Sequence, residues 1–404
     1  MTVPTLRFKE FDEGWSTSKI EEIAIVTSGG TPSRANERYW AGDIPWVTTS
    51  LVDFNVIQSA EEFITQEGLD NSSAKLFPQN TILMAMYGQG ITRGKVAILG
   101  IDATTNQACA AIKLKTNFDT QFIFQNLMNR YEEIRDLSNE GGQKNLSAGI
   151  IKEVEVNYPE KKEQAKIASF LSAVDEKISQ LNQKHRLLCE YKQGMMQKLF
   201  SQQLRFKADD GGEFAEWGKI QLKDVAERVT RKNKEDNQNA LTISAQMGLV
   251  NQQDYFSKQI ASRDLSKYYL LHKGEFAYNK SYSAGYPMGA IKRLKLYEKG
   301  VVSTLYICFA LNDQLNAGFF EHYVESGALV SELEKIAQEG ARNHGLLNIS
   351  LQEFFEVSFV KPCLEEQIKI ANFLSAIDQK IEVVAQQIEQ AKTWKKGLLQ
   401  QMFV

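Results

Sequence analysis

The stretch GQGITRGKV at residues 88–96 is the part of the sequence that comes nearest to a phosphate-binding loop. A P-loop needs four residues between its first glycine and the Gly-Lys pair, followed by Ser or Thr, so that backbone amides wrap the phosphate and a hydroxyl binds Mg²⁺. Here three residues separate Gly90 from Gly94, five separate Gly88 from it, and Val96 follows the lysine. Both the spacing and the missing hydroxyl argue against nucleotide binding.

Other catalytic signatures are missing from the sequence. It contains no GxGxxG after a strand pattern, no HExxH, no GxSxG and no Asn/Asp-Pro-Pro-aromatic tetrapeptide for holding a target amine. The 4 histidines have no ligand spacing, and the 4 cysteines lie far apart with no CxxC. This pattern excludes a zinc finger and a dense disulfide framework, and it fits a reducing cytoplasm. We therefore expect no catalysis, metal or cofactor in this chain.

Glycine-bearing loops carry side chains that suit DNA binding. Arg and Gln can read guanine and adenine edges with paired hydrogen bonds, other polar side chains bond bases or phosphates, and glycine lets a backbone come close. Such loops occur at matching places in both halves, which disfavours the alternative of ordinary solvated turns. The predicted DNA-binding candidates are Gln89, Thr92, Arg93, Lys95, Gln143, Lys144, Lys280, Ser281, Tyr282, Tyr286, Arg342, Asn343 and His344.

An internal repeat organises the elements that must position these loops. Residues 163–178 read EQAKIASFLSAVDEKI and residues 366–381 read EQIKIANFLSAIDQKI, with 12 of 16 positions identical at an offset of 203. Pro159 and Pro362 precede the two copies at the same offset. The sequences before them diverge. The chain is therefore a variable region followed by a constant segment, taken twice.

The constant segments have the heptad pattern of long helices with a coiled-coil seam. About 40 helical residues would span roughly 60 Å. We expect the two helices to pair antiparallel within one molecule, related by a pseudo-twofold axis; intermolecular pairing is the alternative. Gly194 and Gly397 suggest a close approach of helices or a helix end. The predicted seam residues are Ile167, Leu171, Val174, Ile178, Leu181, Leu188, Ile370, Leu374, Ile377, Ile381, Val384 and Ile388.

The variable regions have the pattern of mixed α/β (α+β) domains, with short β-type runs followed by helical runs. Examples are TILMAMY (81–87) and VVSTLYICFAL (301–311), and the helical TQFIFQNLMNRYEEIRDL (120–137). The predicted domains are a globular domain at 1–158, a long helix at 159–204, a second globular domain at 205–357 and a second long helix at 358–404.

Composition limits the kind of partner. The 404 residues are 43% hydrophobic and 24% charged, which is typical of a globular protein. No run approaches the roughly 20 apolar residues that cross a bilayer, so we expect no membrane partner and a cytoplasmic location. The net charge of −3 means that DNA binding must come from local patches or from partner proteins.

The duplicated EQxKIAxFLSAxDxKI segments, each ending near KxGxxQxxF after a diverged region, resemble the specificity subunit of type I restriction–modification systems. The resemblance covers essentially the whole chain. The stretch Thr104-Thr105-Asn106-Gln107 also resembles a landmark of that family. The second half departs from it, reading Ser303-Thr304-Leu305-Tyr306.

The resemblance implies that each variable region is a target recognition domain for one half of a bipartite double-stranded DNA site. The helices would separate the two domains and carry two methyltransferase subunits, and restriction (motor–nuclease) subunits would complete the complex. S-adenosylmethionine, ATP and Mg²⁺ would then belong to these partners. Because the two regions differ, the target is expected to be asymmetric. The competing interpretation is a scaffold protein with two ligand-binding domains bridged by a coiled coil and no nucleic acid.

Overall fold

A computed structural model describes residues 3–88, 91–137, 145–244, 247–255, 264–282, 285–337 and 347–403. The chain divides into two compact units, which we call the first unit (1–182 with 386–404) and the second unit (183–385). Each unit thus combines one variable region, the beginning of the long helix that follows it, and the end of the other long helix.

The variable region of the first unit runs from an N-terminal strand to the first long helix. Its elements in chain order are β1 (Ser16–Lys19), α1 (Ile20–Ile23), β2 (Ala24–Ser28), β3 (Trp40–Val47), β4 (Val56–Ile57), β5 (Glu62–Ile64), α2 (Gln66–Asp70), β6 (Ile82–Ala85), β7 (Val96–Leu99), β8 (Thr104–Thr105), β9 (Cys109–Leu114), α3 (Thr120–Asn129), α4 (Tyr131–Asp136), α5 (Ala148–Glu153), β10 (Glu155–Tyr158) and α6 (Lys161–Phe200).

The second variable region has a related order and ends on the second long helix. Its elements are β11 (Gly218–Gln221), α7 (Leu222–Val225), β12 (Ala226–Arg228), β13 (Leu241–Ser244), β14 (Gly248–Asn251), α8 (Gln252–Tyr255), β15 (Tyr269–His272), β16 (Phe276–Asn279), β17 (Ala290–Arg293), β18 (Lys299–Val302), β19 (Ile307–Leu311), α9 (Ala317–Glu325), α10 (Val330–Ile336), α11 (Leu351–Glu356), β20 (Ser358–Lys361) and α12 (Leu364–Met402).

The central sheets of the two units share one strand order. It is β2-β9-β6-β7-β4 in the first unit and β12-β19-β16-β17 in the second. In β6, Ile82 and Met84 face the core shared with α6, while Leu83 and Ala85 face a core on the opposite side. Burial on both faces explains why this strand is a continuous apolar run rather than an alternating pattern.

The first and last strands of each variable region pair with each other. β1 lies antiparallel to β10 with Ser16 opposite Tyr158, and β11 lies antiparallel to β20 with Gly218 opposite Lys361. Each region therefore returns to its starting point just before its long helix begins.

The long helices begin directly after the two prolines and contain 40 and 39 residues. In the first unit the start of α6 shares a core with Leu398 and Met402 at the end of α12. In the second unit the start of α12 shares a core with Met196 and Leu199 at the end of α6. In each unit the beginning of one helix lies with the end of the other, as antiparallel pairing requires.

Most of the predicted seam residues are buried. Those at the start of each helix share a core with the variable region of their own unit as well as with the other long helix. The buried members are Ile167, Leu171, Val174, Leu181, Ile370, Leu374, Ile377, Val384 and Ile388, and the half-buried members are Ile178, Leu188 and Ile381.

Each repeated segment opens with a Glu-Gln pair, Glu163-Gln164 and Glu366-Gln367, and its glutamate anchors the variable region to the long helix. Arg7 donates to both carboxylate oxygens of Glu163 at 2.8 and 2.7 Å, and Arg205 donates to those of Glu366 at 3.2 and 2.9 Å. Both carboxylates are fully buried. Two-pronged arginine contacts are strong and orient both partners, so the same anchor fixes each variable region on its helix.

Gln164 and Gln367 tie the start of each long helix to the start of an earlier helix in the same variable region. Gln164 donates to the Pro159 carbonyl at 2.8 Å and accepts from the backbone N–H of Asp119 at 2.9 Å. Gln367 makes the same two bonds at 2.9 and 2.8 Å, the second with Asn316. Asp119 and Asn316 are the N-caps of α3 and α9. The two helices are therefore equivalent elements whose starts are fixed in the same way.

Lys192 and Lys395 occupy equivalent places in the heptad pattern of the seam and form equivalent ion pairs. Lys395 lies 2.5 Å from Asp175 in the first unit, and Lys192 lies 2.7 Å from Asp378 in the second. Both pairs join α6 to α12. A polar pair at a seam position penalises other registers, so these pairs specify the alignment of the helices.

Three local expectations differ from the structure. The helical run at 120–137 is broken at Arg130, and the apolar run at 301–311 is two strands, β18 and β19. Gly194 lies inside α6, and no neighbouring atom lies within 4 Å of where a Cβ would stand. A close helix approach therefore does not explain this glycine.

Candidate nucleic-acid interface

In each unit, one connection predicted to bind DNA lies at an end of the central sheet. In the first unit β6 ends and β7 begins at this end, and the connection 86–95 joins them. The backbone N–H of Met86 donates to the Ala108 carbonyl at 2.8 Å, and that of Leu146 donates to the Met86 carbonyl at 2.9 Å. We call residues 141–145 and 339–345, which hold the candidates that follow the central sheet in sequence, the late loops. The segment after the first late loop thus returns to the base of the connection.

The second unit repeats this arrangement. The connection 280–289 joins β16 to β17, and the backbone N–H of Leu347 donates to the Lys280 carbonyl at 3.0 Å. In both units the segment before the last helix of the variable region is bonded to the base of the connection, at the same edge of the sheet. The late-loop candidates Gln143, Lys144, Arg342, Asn343 and His344, and Gln89 of the first connection, lie outside the described residues.

The basic residues of the first connection are held by the protein itself. Lys95 donates to Asp53 at 2.6 Å and its side chain is 15% exposed, while Arg93 is buried. Thr92 is half-buried, and the exposed side chains are those of Tyr87 and Ile91. DNA contact by Arg93 or Lys95 stays a prediction, and it requires these side chains to leave their present partners.

An aromatic brace supports the first connection. The Tyr131 hydroxyl donates to the Ile91 carbonyl, and the Tyr131 ring packs edge-on against Phe54 with centroids 5.2 Å apart. Gly94 has φ +85°, and a Cβ there would lie 3.3 Å from Arg135 Cα, so this turn requires glycine. Sequence reasoning missed the brace because Phe54 and Tyr131 are remote from the loop in sequence.

The second connection holds its candidates in different ways. Lys280 donates to the Ile349 carbonyl at 3.4 Å, and the backbone N–H of Ser281 donates to Asn279 at 3.1 Å. Tyr282 is 64% exposed, whereas Tyr286 turns inward to Lys292. Tyr282 is the most exposed of the described candidates of this connection.

The Thr-Thr-Asn-Gln stretch has a structural role at its threonines. Thr104 and Thr105 are fully buried and donate to the carbonyls of Pro45 and Val47 at 2.8 and 2.9 Å. These hydroxyls hold β3 in place and are not open to DNA. Gln107, at the end of the stretch, is exposed and bonded to Thr31.

The cysteines at the starts of β9 and β19 belong to the cores. Burial raises the pKa of Cys109 to about 11 and that of Cys308 to about 12, so both thiols stay protonated at neutral pH. Within the described ranges no group of three or more His, Cys, Asp or Glu side chains could hold a metal ion. In the same part of the chain, no helix is both long and apolar enough to cross a membrane.

Curated relatives and solved structures agree on one family. The chain is 32% identical over 191 residues to the type I restriction enzyme MjaIX specificity subunit of Methanocaldococcus jannaschii, covering 45% of this chain and 44% of that protein. It is 28% identical over 174 residues to the EcoR124I/EcoR124II specificity subunit of Escherichia coli, covering 42% and 43%. The chain thus matches less than half the length of each relative.

The fold matches a complete solved chain. The crystal structure of the type I restriction–modification system S subunit from M. genitalium superimposes with a TM-score of 0.60 at 16% identity, covering 100% of this chain and 99% of that one. The family described as "Type I restriction modification DNA specificity domain" matches residues 12–188 and 215–393. These two matches fall one on each half of the repeat, and the chain belongs to this family of DNA specificity domains.

Proposed function

We propose that the chain is the DNA-specificity subunit of a type I restriction–modification complex and reads a bipartite, asymmetric site. The observation that carries this proposal is the recurrence, in two copies of the specificity domain, of a connection at the same end of the central sheet that is bonded to the segment before the last helix. The connections at these places have unrelated sequences, GQGITRGK and KSYSAGYPMG. Two readers with different loops select two different half-sites.

The long helices are the proposed platform for two methyltransferase subunits. They expose apolar side chains outside the seam, namely Leu187 and Tyr191 on α6 and Val383 and Trp394 on α12, each 49–54% exposed. Contiguous exposed apolar patches mark surfaces for protein partners, and the proposal requires these side chains to belong to such patches. Restriction subunits would join this assembly, and S-adenosylmethionine, ATP and Mg²⁺ would be bound by the partners while this chain performs recognition.

The scaffold interpretation, with two ligand-binding domains and no nucleic acid, is not favoured. Both domains belong to a DNA specificity family. The low net charge that supported the alternative is also compatible with DNA binding, because partner subunits can share the neutralisation of phosphates. We accordingly expect the isolated chain to bind duplex DNA weakly and the assembled complex to bind it tightly, measured by salt-dependent retention on duplex DNA.

The direct test is to co-express the chain with candidate methyltransferase and restriction subunits and to map methylated adenines across the host genome. The expected result is one asymmetric, interrupted sequence that disappears when the chain is omitted. A single palindromic sequence, or methylation that is unchanged without the chain, contradicts the proposal.

A further inference from the structure

A network of charged and polar side chains lies between the second connection and the long helices. Its members line a groove of about 510 Å³ in the second unit. Charged side chains with little exposure need partners, so their contacts constrain the elements that carry them. We call this set the Lys292 network, and its members are Tyr286, Lys292, Glu325, Lys192 and Asp378.

Lys292 joins the network to the connection. Its side chain, on β17, is only 6% exposed, and its ammonium group donates to the Tyr286 hydroxyl at 3.1 Å. The same ammonium lies 4.9 Å from the centroid of the tyrosine ring. Both contacts fix Tyr286, which belongs to the connection 280–289.

Glu325 joins Lys292 to the long helices. Its two carboxylate oxygens accept from Lys292 at 3.4 Å and from Lys192 of α6 at 3.5 Å, and Lys192 in turn pairs with Asp378 of α12 at 2.7 Å. Burial acts to raise the pKa of Glu325, but the ammonium groups of Lys292 and Lys192 more than offset it and hold this pKa below its usual value. Glu325 is therefore an ionised bridge between the two lysines.

Among the residues that the structure describes, the first unit has no such bridge. Glu325 stands nine residues after the N-cap Asn316, and the residue nine after the equivalent N-cap Asp119 is Met128, which carries no charge. The helix pair Asp175–Lys395 is present there. Because Met128 replaces the glutamate, no carboxylate at this position connects the Asp175–Lys395 pair to the sheet.

The lysine of the sheet also differs between the units. Lys292 lies opposite Ala277, which is three residues before Lys280, whereas the equivalent place in the first unit is Ala97, opposite Leu83, which is three residues before Met86. Lys95 pairs with Asp53 rather than with a residue of α3. The first unit thus has an alanine at the place of Lys292, and the connection to the long helices is specific to the second unit.

We propose that Lys292 and Glu325 are positioning residues that hold the second connection in register with the helix pair, so that discrimination at the second half-site depends on them. This inference rests on the proposed function, since it assumes that the connection 280–289 reads DNA. The first half-site is read by a unit without the bridge and is independent of it.

The test uses the full chain in its complex with methyltransferase subunits and a library of duplexes mismatched in one half-site. Tyr282→Ala removes an exposed side chain of the second connection. The half-site at which this substitution changes discrimination is the one read by the second unit. Glu325→Gln and Tyr286→Phe are each expected to raise methylation of duplexes mismatched in that half-site by about tenfold, the equivalent of one weak charged hydrogen bond. Discrimination at the other half-site should not change.

Asp175→Asn is the matched control, because it breaks the helix pair of the unit that has no bridge. It should alter neither half-site. In Glu325→Gln, adding Tyr286→Phe should have little further effect, since both substitutions break the same series of contacts between the connection and the long helices. Without DNA, amide hydrogen exchange at residues 285–289 should be faster in Glu325→Gln than in Asp175→Asn.

Unchanged discrimination in both Glu325→Gln and Tyr286→Phe, or equal loss at both half-sites, overturns the inference. Additive effects of the two substitutions also contradict it. Failure of the proposed function has a different signature, because the unsubstituted complex would then show no sequence preference. In that case hydrogen exchange still decides whether Glu325 positions the connection. If Glu325→Gln fails to fold, Tyr286→Phe, which removes one oxygen, supplies the test.

Discussion

Residues that look like DNA readers in a loop can instead serve the loop itself. Lys95 is paired with Asp53, which lies 42 residues earlier in the chain, and Arg93 is buried. The sequence shows that the loop is basic and glycine-rich, but it cannot show a partner so far away. The sequence therefore predicts on which loops the candidate residues lie, whereas their exposure depends on tertiary contacts, and their contact with DNA stays a prediction.

The structural role of Thr105 can be tested separately from DNA recognition. Thr105→Val leaves the Val47 carbonyl without its side-chain donor in a fully buried place. We expect the free energy of unfolding to fall by about 0.5–1.5 kcal/mol, the net contribution of one hydrogen bond, because the carbonyl keeps the bond that it accepts from the Asn106 backbone N–H. The measurement is urea unfolding of the full chain.

Gln107→Ala is the control for this substitution, because Gln107 is exposed on the same stretch. Its effect on stability should stay within about 0.5 kcal/mol. A Thr105→Val protein that is as stable as the parent, or that methylates a different sequence in the complex, contradicts the assignment of Thr105 to the fold.

Among the elements, the long helices could be predicted most closely from the sequence. The heptad pattern is a local signal, and the predicted spacers at 159–204 and 358–404 contain the observed helices Lys161–Phe200 and Leu364–Met402. The pairing of β1 with β10 joins residues about 140 positions apart and left no local signal. The break between α9 and α10 depends on Gly327, whose φ of +84° a helix cannot contain.

Gly194 gives a prediction for the first long helix. Because it lies inside α6 with open space around a Cβ, Gly194→Ala should stabilise the chain by about 1 kcal/mol through helix propensity alone. The midpoint of thermal unfolding should rise accordingly.

Gly289→Ala supplies a contrast of opposite sign. Gly289 has φ +72°, and a Cβ there would lie 2.2 Å from the Asn279 carbonyl oxygen. This substitution should lower the unfolding midpoint. If Gly194→Ala also lowers it, the helix at this position has a packing requirement that the structure of the chain alone does not contain.

At the scale of the whole molecule, the duplicated anchors separate what is shared from what varies. The residues that receive a variable region are the same on both helices, including Glu163 and Glu366, and Gln164 and Gln367. The loops at the sheet ends and the Lys292 network differ. The constant parts therefore hold each domain in the same way, while the variable parts determine what it binds.

This separation predicts that the domains are exchangeable. In a hybrid chain, residues 7–158 replace residues 205–361, so that the β1–β10 pair takes the place of the β11–β20 pair. Arg7 would meet Glu366 as it meets Glu163, and the Asp119 backbone would meet Gln367 as it meets Gln164. We expect the hybrid to fold and, in complex with the methyltransferase subunits, to methylate a symmetric site built from two copies of one half-site.

The control is a hybrid with the same junctions in which Glu366→Gln removes the anchor. Breaking a buried ion pair by deleting one partner costs about 3–5 kcal/mol, so this version should be much less stable and less active. Mapping of methylated adenines distinguishes the outcomes. A folded hybrid that methylates the parental asymmetric site would mean that the variable region does not determine the half-site. A hybrid that folds equally well without Glu366 would mean that the anchor is not what makes the domains exchangeable.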